Sequence, residues 1–480
     1  MHRIRVQSIF TMLAGMVVIF MLNSQSRQHI ESLIAQGEFT EAREIIQTRL
    51  ANDSTLSDTT RLELTFELER MDRIDKDFAK SQAEVLEYIQ QYIPDATVGD
   101  LRRWEEEKSL ESKFINGERR YFQWAARNFF RINPEAKDIW AKAHQDEDSG
   151  EKFDLNGHIQ KIMTHTKSTG ERYNNPVRMR IQYAITVNKN AVPAGEIIRC
   201  WIPFPREIPA RQVDIVYRDS DPEQHIISPN AQTLQRTIYL EKTAQQDKKT
   251  TFSVEYEYTS YGSYVPVDAN KVTAVRKTQK FAPYLAEAPP HIVFTEKLRK
   301  ISEDVVGDET NPYRIAQKLF AWVDQIPWAS AREYSTFQNI SDYCVTNGHG
   351  DCGIQTLTFM TLCRMNGIPT RWQSGWEFEP PDDTMHDWGQ IYFEPYGWVP
   401  MDVTYGKRDT ENEELNWFYL SGMDSYRLIF NDAYAQPFYP LKVHHRSETI
   451  DSQRGEVEWR GGNLYFDQWS WDFDWEVVED

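Results

Sequence analysis

Three regimes of hydrophobic patterning divide the chain. Between about residues 28 and 167 apolar positions recur at helical spacing against a highly charged background, which predicts a helical domain. Within it, Leu33 to Arg43 reads as two helices meeting at Gly37, with Ala42 small enough for close packing. No second copy of that unit follows at a 34-residue period, so a stacked repeat array is not expected. Further on, Tyr121, Phe122, Trp124, Phe129 and Phe130 form an aromatic-rich helical stretch read as core.

From about 174 to 264 the period changes to two. Val177 to Tyr183 and Thr251 to Tyr258 alternate strictly, and turn clusters such as Pro193-Ala194-Gly195 and Pro229-Asn230 separate the runs. Short alternating strands with regular turns predict a β-sandwich. A mixed region then spans about 270–440, with helical segments near Lys297 to Val306 and Tyr313 to Ile326. The last stretch, 441–480, holds Gly461-Gly462-Asn463 and the alternation Trp469 to Glu476. It reads as a terminal β-hairpin extension with an aromatic face on the core and acidic residues outside.

The chemistry concentrates in the mixed region. Ile354 to Met365 reads as a buried helix stopped by Asn366-Gly367 and Ile368-Pro369, which places Cys352 in its first turn. Unpaired N–H groups and the positive end of the helix dipole lie there. They are expected to lower a thiol pKa and to supply one donor of an oxyanion hole. Gly350 and Gly353 flank the cysteine and are expected to let a substrate backbone come close.

His386 to Phe393 and Trp398 to Val403 read as strands joined by the turn Glu394-Pro395-Tyr396-Gly397. The midpoint between His386 and Asp402 falls at residue 394, inside that turn, so the two should stand nearly opposite each other. A thiol nucleophile needs a base and a carboxylate to orient that base, and these three residues supply the types. How Cys352 reaches His386 depends on packing that spacing does not dictate. Cys363, Cys200 and Cys344 have no partner spacing and read as packing residues. His349 reads as a turn residue.

Four ordered motifs in this stretch resemble the core of the transglutaminase-like superfamily, a papain-like thiol enzyme fold. They are Gly350-Asp351-Cys352, Gly367-Ile368-Pro369-Thr370-Arg371, His386-Asp387-Trp388 and Gly397-Trp398-Val399-Pro400-Met401-Asp402. The resemblance covers about a fifth of the chain. It implies Cys352 as nucleophile, His386 as general base and acid, and Asp402 as the residue orienting it. The fold class expected is therefore α+β, with a papain-like core preceded by a helical domain and a β-sandwich domain. The activity implied is attack on an amide carbonyl to give a thioester, resolved by water in a peptidase or amidase, or by an amine in a transglutaminase. Hydrolysis is preferred, because water is always present and nothing in the cleft segments excludes it. A non-catalytic peptide- or glycan-binding module is the alternative from another class.

Around this triad, Gln338 is a candidate oxyanion donor, and Trp372 and Trp388 are candidate substrate contacts. The run Tyr334-Ser335-Thr336-Phe337-Gln338 and Trp328 are further candidates for the cleft wall or the second oxyanion donor. No metal site, phosphate-cradling loop or dinucleotide fingerprint is evident, so no cofactor is expected. A net charge of −19 without a Lys/Arg cluster argues against nucleic acid and leaves a protein, peptide or cell-wall substrate. The helical N-terminal domain could dock a protein. His2, Arg3 and Arg5 precede an apolar run from Ile9 to Leu22, shorter than the roughly 17 residues a spanning helix needs. Residues 1–26 are thus expected to be a cleavable signal or an N-terminal anchor, placing the rest in the periplasm, on the cell surface or outside.

Overall fold

The computed structural model describes residues 27–144, 153–276 and 278–478; the expected export segment lies outside them. Among the described residues no helix is long and apolar enough to cross a membrane. The chain divides into two compact units, Met1–Asn133 and Pro134–Asp480.

The first unit is mainly helical. Its helices are α1 (27–36), α2 (Phe39–Asn52), α3 (Asp58–Asp77), α4 (Gln82–Gln90), α5 (Val98–Glu106) and α6 (Ala125–Ile132). Ser81 and Thr97 open α4 and α5 with reciprocal capping boxes, each satisfying two otherwise orphaned N–H groups. The corner between α1 and α2 is Gly37 at φ +83°, where a Cβ would fall 1.9 Å from the Phe114 carbonyl oxygen. Phe114 belongs to a short hairpin, β1 (Ser112–Ile115) and β2 (Glu118–Tyr121), which helical periodicity did not anticipate. Of the aromatic stretch, Tyr121 therefore ends a strand, while Phe129 and Phe130 are core residues on α6.

The second unit contains α7 (Pro134–Ala143) and α8 (Leu155–Thr169), so the helical region expected to run unbroken to 167 is split between units. Leu155, Ile159, Ile162 and Met163 of α8 belong to the same core as the helices around Cys352. Three residues after α8 the chain becomes extended: β3 (Tyr173–Val187), β4 (Ile197–Pro203), β5 (Gln212–Asp221), β6 (His225–Ile227), β7 (Thr237–Thr243) and β8 (Thr250–Tyr264). They lie in two sheets. Alternate residues of β3, namely Met179, Ile181, Tyr183 and Ile185, meet Ile198, Cys200 and Ile202 of β4 in one apolar core.

After α9 (Ala282–Leu285), α10 (Glu296–Val306), α11 (Pro312–Asp324), α12 (Ile340–Asn347) and α13 (Cys352–Met365) come β9 (Thr370–Glu379), β10 (Asp382–Phe393) and β11 (Gly397–Met401). β12 (Gly422–Met423) follows, then β13 (Arg427–Asn431), β14 (Glu456–Trp459), β15 (Gly462–Leu464) and β16 (Trp469–Val477). A four-stranded sheet runs β11-β10-β9-β13. Helix α11 packs on this sheet through Tyr313 on Phe393 and on α13 through Phe320 on Phe359.

The C-terminal stretch does not stand apart as an extension. β14 and β15 form a hairpin, but β14 pairs with β4, and β16 pairs with β3 along its length, so the chain end completes both sandwich sheets. The physical reason is that the long strands β3 and β4 each need a neighbour to take up their backbone N–H and C=O groups. Trp469 is buried, and Phe473 and Trp475 pack beside the sandwich core, whereas Trp471 is exposed.

Candidate active site

Helix α13 carries almost no exposed side chain beyond its first residue, because it lies between the sheet and α10 to α12. Its N-cap is Asp351, whose carboxylate accepts the Ile354 N–H at 3.0 Å. Cys352 follows, half-buried. The flanking glycines make room for the protein itself rather than for substrate backbone. A Cβ on Gly353 would fall 2.0 Å from the Tyr334 hydroxyl and 2.6 Å from Asp387 Oδ2, and one on Gly350 would strike the Ile354 side chain at 2.3 Å.

His386 and Asp402 come together as expected by type but not by register. Phe393 pairs with Gly397 and Gly389 with Met401, so continuing the ladder sets Asp402 beside Trp388, two positions along from His386. The turn is one residue shorter than the symmetric reading assumed, with Gly397 at φ +82° taking the first position of the returning strand. His386 and Asp402 are diagonal neighbours on one face, within side-chain reach. His386 Nε2 and Asp402 Oδ2 are 2.7 Å apart, and both residues are buried.

Arg427, from β13, was not singled out in the sequence. It is wholly buried and donates to Asp402 Oδ2 at 3.0 Å and to Asp424 Oδ2 at 2.9 Å, with its guanidinium over the rings of Tyr405 and Trp388. Burial by itself would raise the Asp402 pKa. His386 and Arg427 outweigh burial and hold it below the usual carboxylate range. Thr404 and Tyr405 backbone N–H groups, each 3.2 Å from Oδ1, add to that.

Cys352 meets a different residue. Its thiol donates to Asp387 Oδ2 at 3.5 Å, and among the described residues no hydrogen bond joins it to His386. Adjacent residues on a strand point to opposite faces, so His386 and Asp387 flank β10 on either side. Tyr334 donates from its hydroxyl, 2.8 Å from Asp351 Oδ1 and 3.3 Å from Asp387 Oδ2. Gln453 donates to Asp387 Oδ1 at 2.9 Å and to the His386 carbonyl at 2.9 Å. Asp451 hydrogen-bonds the same carboxyl.

The thiol is not activated by its position at the helix start. Burial pushes its pKa well above the usual value, and the carboxylates of Asp387 and Asp351 add to the effect. Burial likewise raises Asp351 to about 6 and Asp387 to about 7. The expected lowering by the helix dipole is outweighed first by burial and then by the carboxylates of Asp387 and Asp351.

The remaining candidates separate cleanly. Trp372 is buried and donates its indole N–H to Ser374 Oγ at 3.1 Å; Trp388 is wholly buried and donates to Gln373 Oε1 at 3.3 Å. Both are core residues with no surface to offer a substrate. Gln338 is exposed, and no hydrogen bond ties it to the Cys352 turn among the described residues. Trp328 is the aromatic that fits a wall: it is 42% exposed and bridges Gly350, two residues before the cysteine. Cys200, Cys344 and Cys363 are buried free thiols, and His349 is buried with Tyr343 edge-on to its ring. Among the described residues no group of three or more His, Cys, Asp or Glu side chains is arranged to hold a metal ion.

The sequence could have pointed to Asp387, which occupies the middle of the His386-Asp387-Trp388 motif. Asp451 and Arg427 carry no such local signal, since only tertiary packing brings them to the site.

Residues 299–403, from within α10 to just past β11, match the family model of the transglutaminase-like superfamily. Among solved structures, the chain is similar to one from Cytophaga hutchinsonii described as a candidate cysteine protease. Identity is 16% and the TM-score 0.43, covering 64% of this chain and 93% of that one. It is also similar to the periplasmic domain of TgpA from Pseudomonas aeruginosa, at 13% identity and a TM-score of 0.25, covering 54% of this chain and 94% of that one. No curated protein matches the chain in sequence.

Proposed function

We propose that this protein is a thiol-dependent hydrolase of amide bonds, with Cys352 as nucleophile and His386, held by Asp402, as the group that protonates the leaving amine and then activates water. The observation that carries this reading is the arrangement inside the matched segment. Cys352 heads a buried helix with first-turn N–H groups at hand, and its sulfur lies against Asp387, the residue next to His386 in a hydrogen-bonded His386–Asp402 pair. With Nε2 engaged by Asp402, Nδ1 is the ring nitrogen left for chemistry. The attacking sulfur would form a thioester as the amine departs. Water completes hydrolysis, whereas a substrate amine at the same step would make the enzyme a transglutaminase.

The substrate class consistent with the chain is a protein, a peptide or cell-wall material. The basic and apolar pattern of residues 1–26 supports an exported enzyme working in the periplasm or at the cell surface. The first unit offers a surface for protein docking.

The test is mass spectrometry on a mixed protein and peptide pool supplied with a traceable primary amine, comparing wild type with Cys352→Ala. Cleaved or deamidated products that vanish in the variant support hydrolysis. Amine-labelled products support transfer instead. Identical spectra would sink the enzyme reading and leave a peptide- or glycan-binding module, which the raised thiol pKa and the absence of a Cys352–His386 hydrogen bond among the described residues favour.

A further inference from the structure

We propose that the outer edge of β16 is a docking site for an extended basic segment of another polypeptide, which adds to the sandwich sheet as a further strand. The occupant alternates lysine or arginine with apolar residues. The site stands apart from the Cys352 chemistry and does not depend on it.

The register fixes which backbone groups β16 has to offer. The strand ends its sheet, in the order β12-β8-β3-β16. At one end of the β3–β16 ladder the Asn188 N–H donates to the Gln468 carbonyl, and at the other the Val478 N–H donates to the Arg178 carbonyl. Hydrogen-bonded pairs recur at every second residue of an antiparallel ladder, so the even-numbered residues of β16 turn their N–H and C=O groups to β3. Trp471, Phe473, Trp475 and Val477 therefore turn theirs outward. Among the described residues the Trp475 N–H alone of these groups has a partner, donating to Asp474 Oδ1 at 2.9 Å. A row of outward donors and acceptors is a template for another strand.

Side chains choose the partner. On one face of the edge Trp471 and Val477 are 41% and 40% exposed, and Phe473 and Trp475 lie half-buried between them against Phe378. The other face carries Asp472, Asp474 and Glu476, all exposed. Arg180 pairs with Glu476 at 2.7 Å. Asp472 and Asp474 stand across from the neutral Ala184 and Gln182 of β3, and among the described residues neither has an ion-pair partner. An added strand sets alternate residues beside these carboxylates and the others beside the indoles, which calls for cations on one face and apolar side chains on the other.

A second copy of the chain is the wrong occupant on the same grounds. Twofold antiparallel pairing centred on Phe473 sets Asp472 of each chain opposite Asp474 of the other, and like charges directly opposite are destabilising.

Fluorescence anisotropy tests this with a dye-labelled peptide of alternating lysine and valine, matched to β16 in length. It is titrated with the full chain carrying Cys352→Ala, so that cleavage of the probe cannot contribute. Saturable binding is expected, and a peptide with glutamate in place of lysine should not bind. Affinity should fall at least about tenfold with Asp474→Lys. It should fall as far when every backbone nitrogen of the peptide is methylated, which keeps the charges and removes the donors. Binding that methylation leaves unchanged would reveal a charged surface without strand addition, and binding that Asp474→Lys leaves unchanged would put the peptide elsewhere. Either result overturns the proposal, as does no binding at all. If Asp474→Lys does not fold, Asp472→Lys takes its place. Self-association of the chain that Trp471→Lys abolishes would give the edge to a second copy and overturn the choice of partner.

Discussion

The two faces of β10 carry acidic groups of opposite character one residue apart. On the His386 face, Asp402 is buried between His386 and the Arg427 guanidinium, and its pKa is held below the usual range. On the Cys352 face, Asp387 is buried beside Asp351 and Asp451, no arginine among the described residues forms an ion pair with it, and its pKa climbs to about 7. Desolvation is common to both. What separates them is Arg427, placed by β13 on one face only. A carboxylate's role in such a site is therefore set by the charge opposite it more than by its depth.

The largest effect should come from the His386 face. Asp402→Asn leaves His386 without a charged partner, and turnover of whatever amide substrate is identified should fall about 10²–10⁴-fold, measured as kcat at saturating substrate. A fall of less than tenfold would mean that the pair does not serve the chemistry.

Next, Arg427→Met strips the counter-charge from Asp402 and Asp424 in a fully buried site, at a cost of about 3–5 kcal/mol in stability. Urea denaturation reads this directly. A loss below about 1 kcal/mol would show the carboxylates simply becoming protonated, making the two faces alike.

The pH dependence of stability sharpens the contrast, because the two carboxyls act with opposite sign. Asp387 titrates at about 7 folded against about 3.9 in a free chain, so between those values the folded protein keeps a proton that the unfolded chain has released. Its contribution is full below about pH 4 and is lost as pH rises to 7. Asp402, depressed, contributes above about pH 4 and loses that contribution as pH falls through its folded value. Asp387→Asn should flatten the fall between pH 4 and 7 by up to about 4 kcal/mol. Denaturation midpoints at several pH values would reveal an unchanged slope if the assignment is wrong.

The smallest effect is expected from Tyr334→Phe. It removes hydrogen bonds to Asp351 and Asp387, leaving two buried acids short of a donor, for about 1–2 kcal/mol. Urea denaturation of the variant beside wild type measures this loss.

Several features were readable from spacing alone, and each depends on local chemistry. The end of α13 at Asn366-Gly367 follows from turn residues, and the alternation of β3 follows from a half-buried strand. The proximity of His386 and Asp402 follows from a short hairpin, although its register was off because the turn is tighter than a symmetric count assumes. Cys352 at a helix start was equally plain. The inferred acidity of its thiol was not, because a dipole argument sees only the helix that carries the residue.

Tertiary structure decided the rest. Asp451 lies 64 residues beyond Asp387 and Arg427 lies 25 beyond Asp402, and nothing in their neighbourhoods marks them. Trp372 and Trp388 sit amid motif residues yet are sealed in the core, because the face a strand residue takes is known from its period but what covers that face is not. The C-terminal strands enter both sandwich sheets because unpaired strand edges seek partners wherever the chain can supply them. Sequence by itself determined which chemical groups are present and which stand near one another along a turn or strand. Charge balance, burial and the partner of each acid came from contacts across the fold, where Coulomb and desolvation terms depend on distance in space rather than along the chain.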